Sequence, residues 1–571
     1  MKRKGVSNSL NCNTKKRKKT DYFIRVLESC LAYTLLDYFV GINDYSNKCY
    51  PFINLLQLNR ASYKLLINCF MKKRLFSVSE IANLNIEKRK LVNSVIITKD
   101  ELWNVRFNNT FPSVKTLEFR NNFNQLFNIE TFPPKILKLT LNYSYDLPLN
   151  RNVLPSSLTQ LTFGENYNQP LTEGILPDSL THLTFGSYNH PLTKGILPQK
   201  VIYLLFDGRN TYYNHSFSAG DLPKSLTHLS LSILFNQIII KDSLPENLTY
   251  LHFGFSFNKP LSTESIPKKL ECLIFGYKFN QSLGKDVLPI SLKHLIFDKK
   301  FNQPLIEGIL PESLTHLEFG NDFNHILINK ILPKSLTHLT LGHRFDQKIT
   351  AGTFPENLTL LDFYYDFKQD PTQNILPKSL KSLRCDDLPK EIVKNIPKSL
   401  NKLALGYKFN EVLTKNFFPN SLTDLRLDFY NLPLSKDVLP KSLTYLDLGL
   451  DFNQPINKNV LPYKLSHLIF GYRFNQILKK NVLPQKLLIL EFGVCFNQKL
   501  IKGVLPKCLN QLTFGMQFNH QLNVNTYPSD LYEIIFNTLC NKNNINHTPL
   551  LLSQKWICHI HTAYQKIFHR K

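Results

Sequence analysis

Pro311–Leu332 reads PESLTHLEFGNDFNHILINKIL, and the stretch that follows, Pro333–Phe354, reads PKSLTHLTLGHRFDQKITAGTF. The apolar residues sit at the same offsets in both: Leu314, Leu317, Phe319 and Phe323 become Leu336, Leu339, Leu341 and Phe345. Followed outward, the marker proline recurs at 112, 133, 155, 177, 198, 223, 245, 267, 289, 311, 333, 355, 377, 397, 419, 440, 462, 484, 506 and 528, and fourteen of the nineteen steps are twenty-two residues long. A unit this short cannot bury its own apolar side, so copies must stack on one another, which is the mark of a solenoid. A fold organised round a single catalytic cleft is not expected.

Within one unit, Leu314, Leu317 and Phe319 alternate with polar neighbours about Leu317, the period of a short strand with one buried face. Phe323 and Leu327 line a second wall, and Leu332 closes the turn. A leucine-proline pair sets an extended entry to each strand. Glycine follows the strand at Gly320 and at ten equivalent positions, where a sharp turn through positive φ is expected. The asparagine after the second aromatic, as in Asn258, Asn280, Asn302 and Asn324, is expected to stack into a buried ladder whose amides satisfy turn backbone groups.

The pattern LPxSLTxLxFGxxFNQPL, nearly whole in Leu154–Leu171 and Leu310–Leu327, resembles the FNIP repeat, a distant form of leucine-rich repeat. The resemblance covers Pro112 to Phe536 and implies a binding surface rather than an activity. The spacing is also similar to short bacterial leucine-rich repeats, in which no helix fits on the return. The expected fold is therefore mostly β: a leucine-rich-repeat-like solenoid of about 20 turns, with a small α-helical N-terminal domain and a helical C-terminal cap.

Five segments follow from the composition. Residues 1–20 are polar and basic without periodicity, a disordered tail. Residues 21–76 show helical spacing at Phe23, Val26, Leu27, Leu31, Leu35 and Phe39. There Leu55–Leu66, LLQLNRASYKLL, is similar to the latter half of an F-box, although the usual leucine-proline start is missing. That likeness implies docking to a Skp-type adaptor of a cullin ubiquitin ligase; the alternative is a helical cap over the first repeat. Residues 77–111 read as degenerate first turns, with Val95, Ile97, Leu102, Val105 and Phe107 inward. Residues 112–536 are the repeat array, and 537–571 a helical cap in which Trp556, Ile560, Tyr564 and Phe568 recur four apart.

The formal charge is +26, of which residues 1–19 supply eight positive side chains and no acid. Lys2, Arg3 and Lys4, then Lys15, Lys16, Arg17, Lys18 and Lys19, form two clusters similar to a bipartite nuclear import signal. The remaining charge is spread thinly and would attract polyanions weakly. With no secretory leader, no long apolar run and ten scattered cysteines, an intracellular protein, cytoplasmic or nuclear, without a membrane partner is expected.

No catalytic motif and no cofactor or metal site is expected. His182, His228, His294, His316, His338 and His467 share one offset and would form an outward column. Parallel inheritance on an exposed face accounts for them more simply than a metal does. Cys558, His559 and His561 match no zinc spacing. The candidate protein-binding row is the outward strand position that changes from turn to turn: Thr162, Thr184, Ser230, His252, Glu318, Asp362, Arg384, Arg426, Asp447 and Glu491. Its mixed signs favour a protein target over nucleic acid. The expected function is a non-enzymatic protein recognition scaffold, with a substrate-receptor role in a ubiquitin ligase if residues 21–76 are an F-box. The alternative is a basic nuclear scaffold that binds nucleic acid through its tail and lysine-rich loops.

Overall fold

Each unit opens on a proline-led turn in which the Leu314 N–H donates to the Pro311 carbonyl at 3.0 Å. The serine of the LPxSL signature reaches back one turn, Ser313 Oγ donating to the Leu292 carbonyl at 2.7 Å and Ser335 Oγ to the Leu314 carbonyl at 2.6 Å. The chain then runs straight into a strand. His316–Glu318 pairs in parallel with His294–Ile296 on one side and His338–Leu341 on the other, with His294, His316 and His338 in register and Leu295, Leu317 and Leu339 beside them. Repetition of this handover makes one parallel sheet of 23 strands, from Phe76–Ser77 to Lys555–Ile557. The computed structural model describes residues 76–77, 89, 91–97, 113–120, 123–128, 131–133, 135–207, 211–363, 375–386, 396–406, 409–520, 526–528, 531, 533–536 and 555–557. All lie within one unit, Asn68–Lys571.

The core is built of files, each made of one residue per turn. In the unit from Pro311, Leu314, Leu317, Phe319, Phe323, Leu327, Ile331 and Leu332 are all buried. Two aromatic files run side by side: Phe275, Phe297 and Phe319 stack at centroid distances of 5.3 and 5.9 Å, and Phe279, Phe301, Phe323 and Phe345 at 6.0 to 6.2 Å. Within one turn the two files touch more closely, Phe319 to Phe323 at 3.9 Å. Parallel strands buried on one face and packed in this way have no stable isolated unit, so the stacking holds the fold together.

The glycine after the strand works differently from the expectation. Gly320 does not have positive φ; it is small because the turns approach closely, and a Cβ there would overlap the Asp298 carbonyl oxygen. Gly164, Gly254, Gly276 and Gly342 face the same obstacle, and only Gly449 of this file has positive φ. The left-handed corner lies instead three residues before the proline. Gly174, Gly195, Gly220, Gly308, Gly352 and Gly503 occupy it with φ of 82–93°, and Asn152, Asp242, Asp286, Lys330, Asn416, Asp437, Asn459 and Asn481 with φ of 61–74°. Alternation of Gly with Asn and Asp at one position is what a left-handed site selects.

The asparagine ladder is real but half exposed rather than buried. Asn258 Oδ1 accepts the backbone N–H of Asn280, Asn280 Oδ1 that of Asn302, and Asn302 Oδ1 that of Asn324, at 2.9–3.0 Å. The ladder sits outside the aromatic files because its bonds serve the turn backbone at the surface, and solvent reaches Asn168, Asn302, Asn497 and Asn519.

The first turns start earlier than residue 112. Val95 and Ile97 are buried as expected, in the strand Ser94–Ile97. Leu102, Val105 and Phe107 lie outside the described residues, as do the tail, the F-box-like stretch and the import signal. At the other end, Lys555–Ile557 is a strand rather than part of a helix. It pairs with Glu533–Ile535, so Trp556 stands in register with Ile534. An open parallel edge competes there with helical spacing and wins. The remainder of the expected cap, with Ile560, Tyr564 and Phe568, is outside the described residues. No helix among the described residues is long and apolar enough to cross a membrane.

One detail of the core gives a testable prediction. Tyr145 and Tyr167 replace phenylalanine in the second aromatic file, are fully buried, and leave their hydroxyl groups without a hydrogen-bond partner. A buried hydroxyl with no partner costs about 1–3 kcal/mol of desolvation. Tyr167→Phe is therefore expected to raise the midpoint of urea unfolding slightly. A clear drop would show that the hydroxyl is satisfied.

Candidate functional site

Because side chains alternate along a strand, the two residues flanking the buried leucine both face outward. They generate two files on one face. The candidate row is one of these, since register places Thr162 beside Thr184, Ser230 beside His252, Asp362 beside Arg384 and Arg426 beside Asp447. All ten candidates thus share a single file with Leu205, Ile274, Ile296, Thr340, Ala404 and Ile469 between them. The five apolar residues Leu205, Ile274, Ile296, Ala404 and Ile469 were missed because the sequence reading picked out polar variation. Their offset alone, one residue after the central leucine, would have found them.

Polar contacts give this row local structure. Ser230 Oγ lies 3.2 Å from His252 Nδ1. Arg426 stands 5.3 Å over the Tyr445 ring, with its guanidinium 3.8 Å from Asp424. Burial pushes the Asp362 carboxyl up, against the opposing pull of Arg384. Asp447 is pushed up by burial as well, although the Gly449 N–H bonded to its carboxylate acts the other way. These carboxylates are partly desolvated before anything binds, so a cationic partner group meets them at reduced dehydration cost.

The second file is a column of stacked rings. His294, His316 and His338 stack at 4.2 and 4.1 Å, and His182, Tyr203 and His228 at 4.6 and 4.2 Å. A threonine precedes and orients four of these histidines, His182, His228, His316 and His338, while Lys293 precedes His294: Thr315 Oγ1 lies 2.9 Å from His316 Nδ1 and 3.1 Å from the Lys293 carbonyl. Thr337 and Thr181 repeat the arrangement with His338 and His182. A hydroxyl has one proton and a carbonyl none, so both contacts are satisfied when threonine donates to the carbonyl and the imidazole carries its proton on Nδ1. That inferred tautomer leaves Nε2 as an acceptor. The rings are parallel, so their lone pairs run side by side instead of converging on one ion, and no group of three or more potential metal ligands occurs among the described residues. Cys558, His559 and His561 lie outside them.

Four histidines of the column resist protonation. His316 is pushed down to about 4 by burial and by the neighbouring His338 and His294. His182, His228 and His338 are also lowered, burial being the main cause. A histidine whose folded pKa lies below its unfolded value supports the fold fully above about 6.5. That support declines as pH falls from there toward the folded value. The melting temperature is therefore expected to drop between pH 7 and pH 5, and the drop to shrink when His316 and His338 are both replaced by phenylalanine, which stacks but does not titrate. An unchanged drop would locate the acid sensitivity elsewhere.

Comparison with known proteins agrees with this architecture. The FNIP Repeat family model matches thirteen segments, some of them overlapping, between residues 123 and 538. Among solved structures, CroV588, described as a novel circular LRR protein, is 31% identical over 85% of this chain and 88% of its own, with a TM-score of 0.60. YopM from Yersinia enterocolitica is 20% identical over 73% of this chain and 91% of its own, with a TM-score of 0.38. A chain of the mouse RP105/MD-1 complex is 16% identical over 70% of this chain and 86% of its own, at 0.46. None of the curated proteins compared with the chain matches it.

Proposed function

Because the chain belongs to the FNIP repeat family and carries a leucine-rich-repeat-like parallel sheet, we propose that it is a non-enzymatic scaffold that holds a protein target on the outward face of its strands. The observation that carries this reading is the contrast between files. The inward files repeat leucine and phenylalanine with little change. The outward file runs through Thr184, Ser230, His252, Glu318, Asp362, Arg384, Arg426, Asp447 and Glu491 on the same backbone. A constant frame with changing outward residues supports recognition of a shaped surface of mixed charge, as protein interfaces present.

Within that reading, residues 21–76 would engage a Skp-type adaptor while the array holds the target. The motivating feature is the F-box-like run Leu55–Leu66. The basic clusters at Lys2–Lys4 and Lys15–Lys19 would direct import to the nucleus.

The test uses full-length chain as bait in cell extract, beside a variant carrying Glu318→Lys, Asp362→Lys, Arg384→Glu and Arg426→Glu. Proteins crosslinked to the wild type and lost at least tenfold from the folded variant support the strand face. Identical capture by both would reject it. For the adaptor, a chain starting at Ser77 should lose capture of a purified Skp-type protein, and equal retention would dismiss that role.

A further inference from the structure

The loops that follow the strands form a groove whose floor is the asparagine ladder. Between Asn258 and Arg344 it encloses about 660 Å³. Its wall carries one side chain per turn from the position two residues after the post-strand glycine or its equivalent: Lys278, Lys300, Asp322 and Arg344. Asp322 is largely buried and holds two of the cations, Lys300 Nζ at 3.0 Å and Arg344 at 3.3 Å. Lys278 stands 5.8 Å over the Phe255 ring, and Lys299, outside the groove lining, 5.4 Å over Tyr277. Phe255 and Tyr277 themselves stack at 4.4 Å. Three cations, Lys278, Lys300 and Arg344, thus line the groove with one carboxylate that is already shared by two of them.

The floor has a matching polarity. The Oδ1 atoms of Asn258, Asn280 and Asn324 each accept two donors from the following turn, its backbone N–H and its glutamine side chain. Asn302 Oδ1 accepts the Asn324 N–H, while the His325 ring nitrogen goes to the Asn302 carbonyl. An N–H needs an acceptor opposite it, so the oxygen of each amide is fixed by its bonds. What the four amides retain for a ligand is their NH2 donors.

The same groove supplies its own contrast. Along Ser144, Asp146, Asn166, Asn168, Ser187 and Asn189 it encloses about 470 Å³ and is lined by no lysine or arginine, and an aspartate stands in the ladder. The positive stretch is a local feature of the turns from 258 to 344.

We propose that this stretch binds phosphate groups carried on an extended chain, and that it is a second site, independent of the strand face. The donor census decides the chemistry. A peptide would bring an N–H for nearly every carbonyl, whereas the ladder Oδ1 atoms and the Asp322 carboxylate that would receive those N–H groups are already engaged. A phosphate chain presents acceptors alone. Lysine gives each phosphate a point charge, arginine a forked pair of donors, and the asparagine amides hydrogen-bond the bridging and non-bridging oxygens. Single-stranded nucleic acid and inorganic polyphosphate both supply this chemistry.

The test measures binding by full-length chain of a fluorescein-labelled twenty-nucleotide deoxythymidine strand across a salt series, with unlabelled inorganic polyphosphate as competitor. The variant Lys278→Ala/Lys300→Ala/Arg344→Ala removes three groove charges. The control Lys415→Ala/Lys436→Ala/Lys458→Ala removes three charges from another exposed file of three successive turns. The basic tail is common to all, so differences report on the array. Loss of three phosphate contacts is expected to weaken binding at least tenfold and to flatten the salt dependence by about two units, while the control changes it less than threefold. If the oligonucleotide does not bind, while calorimetry shows polyphosphate binding the wild type and losing at least tenfold in the groove variant but not in the control, the site stands with polyphosphate as its source. Equal loss in variant and control, no loss in either, or competition by polyglutamate as strong as by polyphosphate would overturn the proposal. Replacing Asn280 and Asn302 by aspartate, which keeps an oxygen for the ladder and turns the floor acidic, should weaken binding as well. Unaltered affinity in that folded variant would also overturn it.

Discussion

Gly320→Ala is expected to break the array at a single turn and to cost more than about 4 kcal/mol, beyond the usual range for a point change. The new methyl would have to share space with the Asp298 carbonyl oxygen and sit 2.9 Å from the Lys299 nitrogen, both backbone atoms of the preceding turn. Neither can swing aside as a side chain would. Relief requires the two turns to separate, and the next glycine file member, Gly342, packs against Gly320 in the same way. Since each turn contacts chiefly its neighbours, the damage should divide unfolding into two transitions instead of lowering one uniformly. Gly308→Ala is the comparison. Its φ is 88°, and the nearest atom a Cβ would meet is a Lys285 methylene at 3.7 Å. That substitution carries only the left-handed penalty of about 1–2 kcal/mol. Urea melts with hydrogen exchange on both proteins decide the matter, and similar losses would refute the close-approach account.

Phe301→Ala carries the second large effect. The ring is fully buried, 3.8 Å from Phe297 in its own turn and 6.0 and 6.1 Å from Phe279 and Phe323 on either side. Its loss opens a cavity between two neighbours held by their own backbones, and a cost of about 3–5 kcal/mol is expected. Phe255→Ala should cost less than about 1 kcal/mol, because Phe255 is 42% exposed and its stack with Tyr277 lies on the surface. Equal costs for the two would mean that the inner aromatic file is no more important than the outer one.

Much of this architecture can be read from Pro311–Leu332 alone, because a solenoid turn uses residue types for few purposes. Leu317 flanked by His316 and Glu318 announces a strand with one buried side, and the fixed period announces register, so the outward row could be placed before any coordinates. The asparagine ladder was legible as well, since its amides do serve the backbone of the next turn, and only its burial was misjudged. Gly320 failed: it was assigned positive φ within its own turn, whereas a carbonyl of the adjacent turn leaves no room for Cβ. Sequence within one period does not state how closely turns approach. The helix expected around Trp556 failed because Glu533–Phe536 leaves an unpaired edge, whose demand for hydrogen bonds does not show in the spacing of later residues. The phosphate groove was hidden for the same reason, since Lys278, Lys300 and Arg344 are separated by whole periods and meet only when the turns are stacked.

The bonds between turns join residues to their equivalents one period away, which makes the units interchangeable. If Pro311–Leu332 were excised, Asn302 would meet the N–H of Asp346 and Leu295 would lie beside Leu339, so the ladder and the leucine file would close again, while Lys300 and Arg344 would lose their shared Asp322. On the outer side the outcome differs: His294 would then adjoin His338, and Ile296 would face Thr340. Recombination between such similar stretches of coding sequence can therefore lengthen or shorten the protein while keeping its core files and ladder continuous, and reshuffle what it recognises. Its specificity can be edited by the whole turn as well as by the residue.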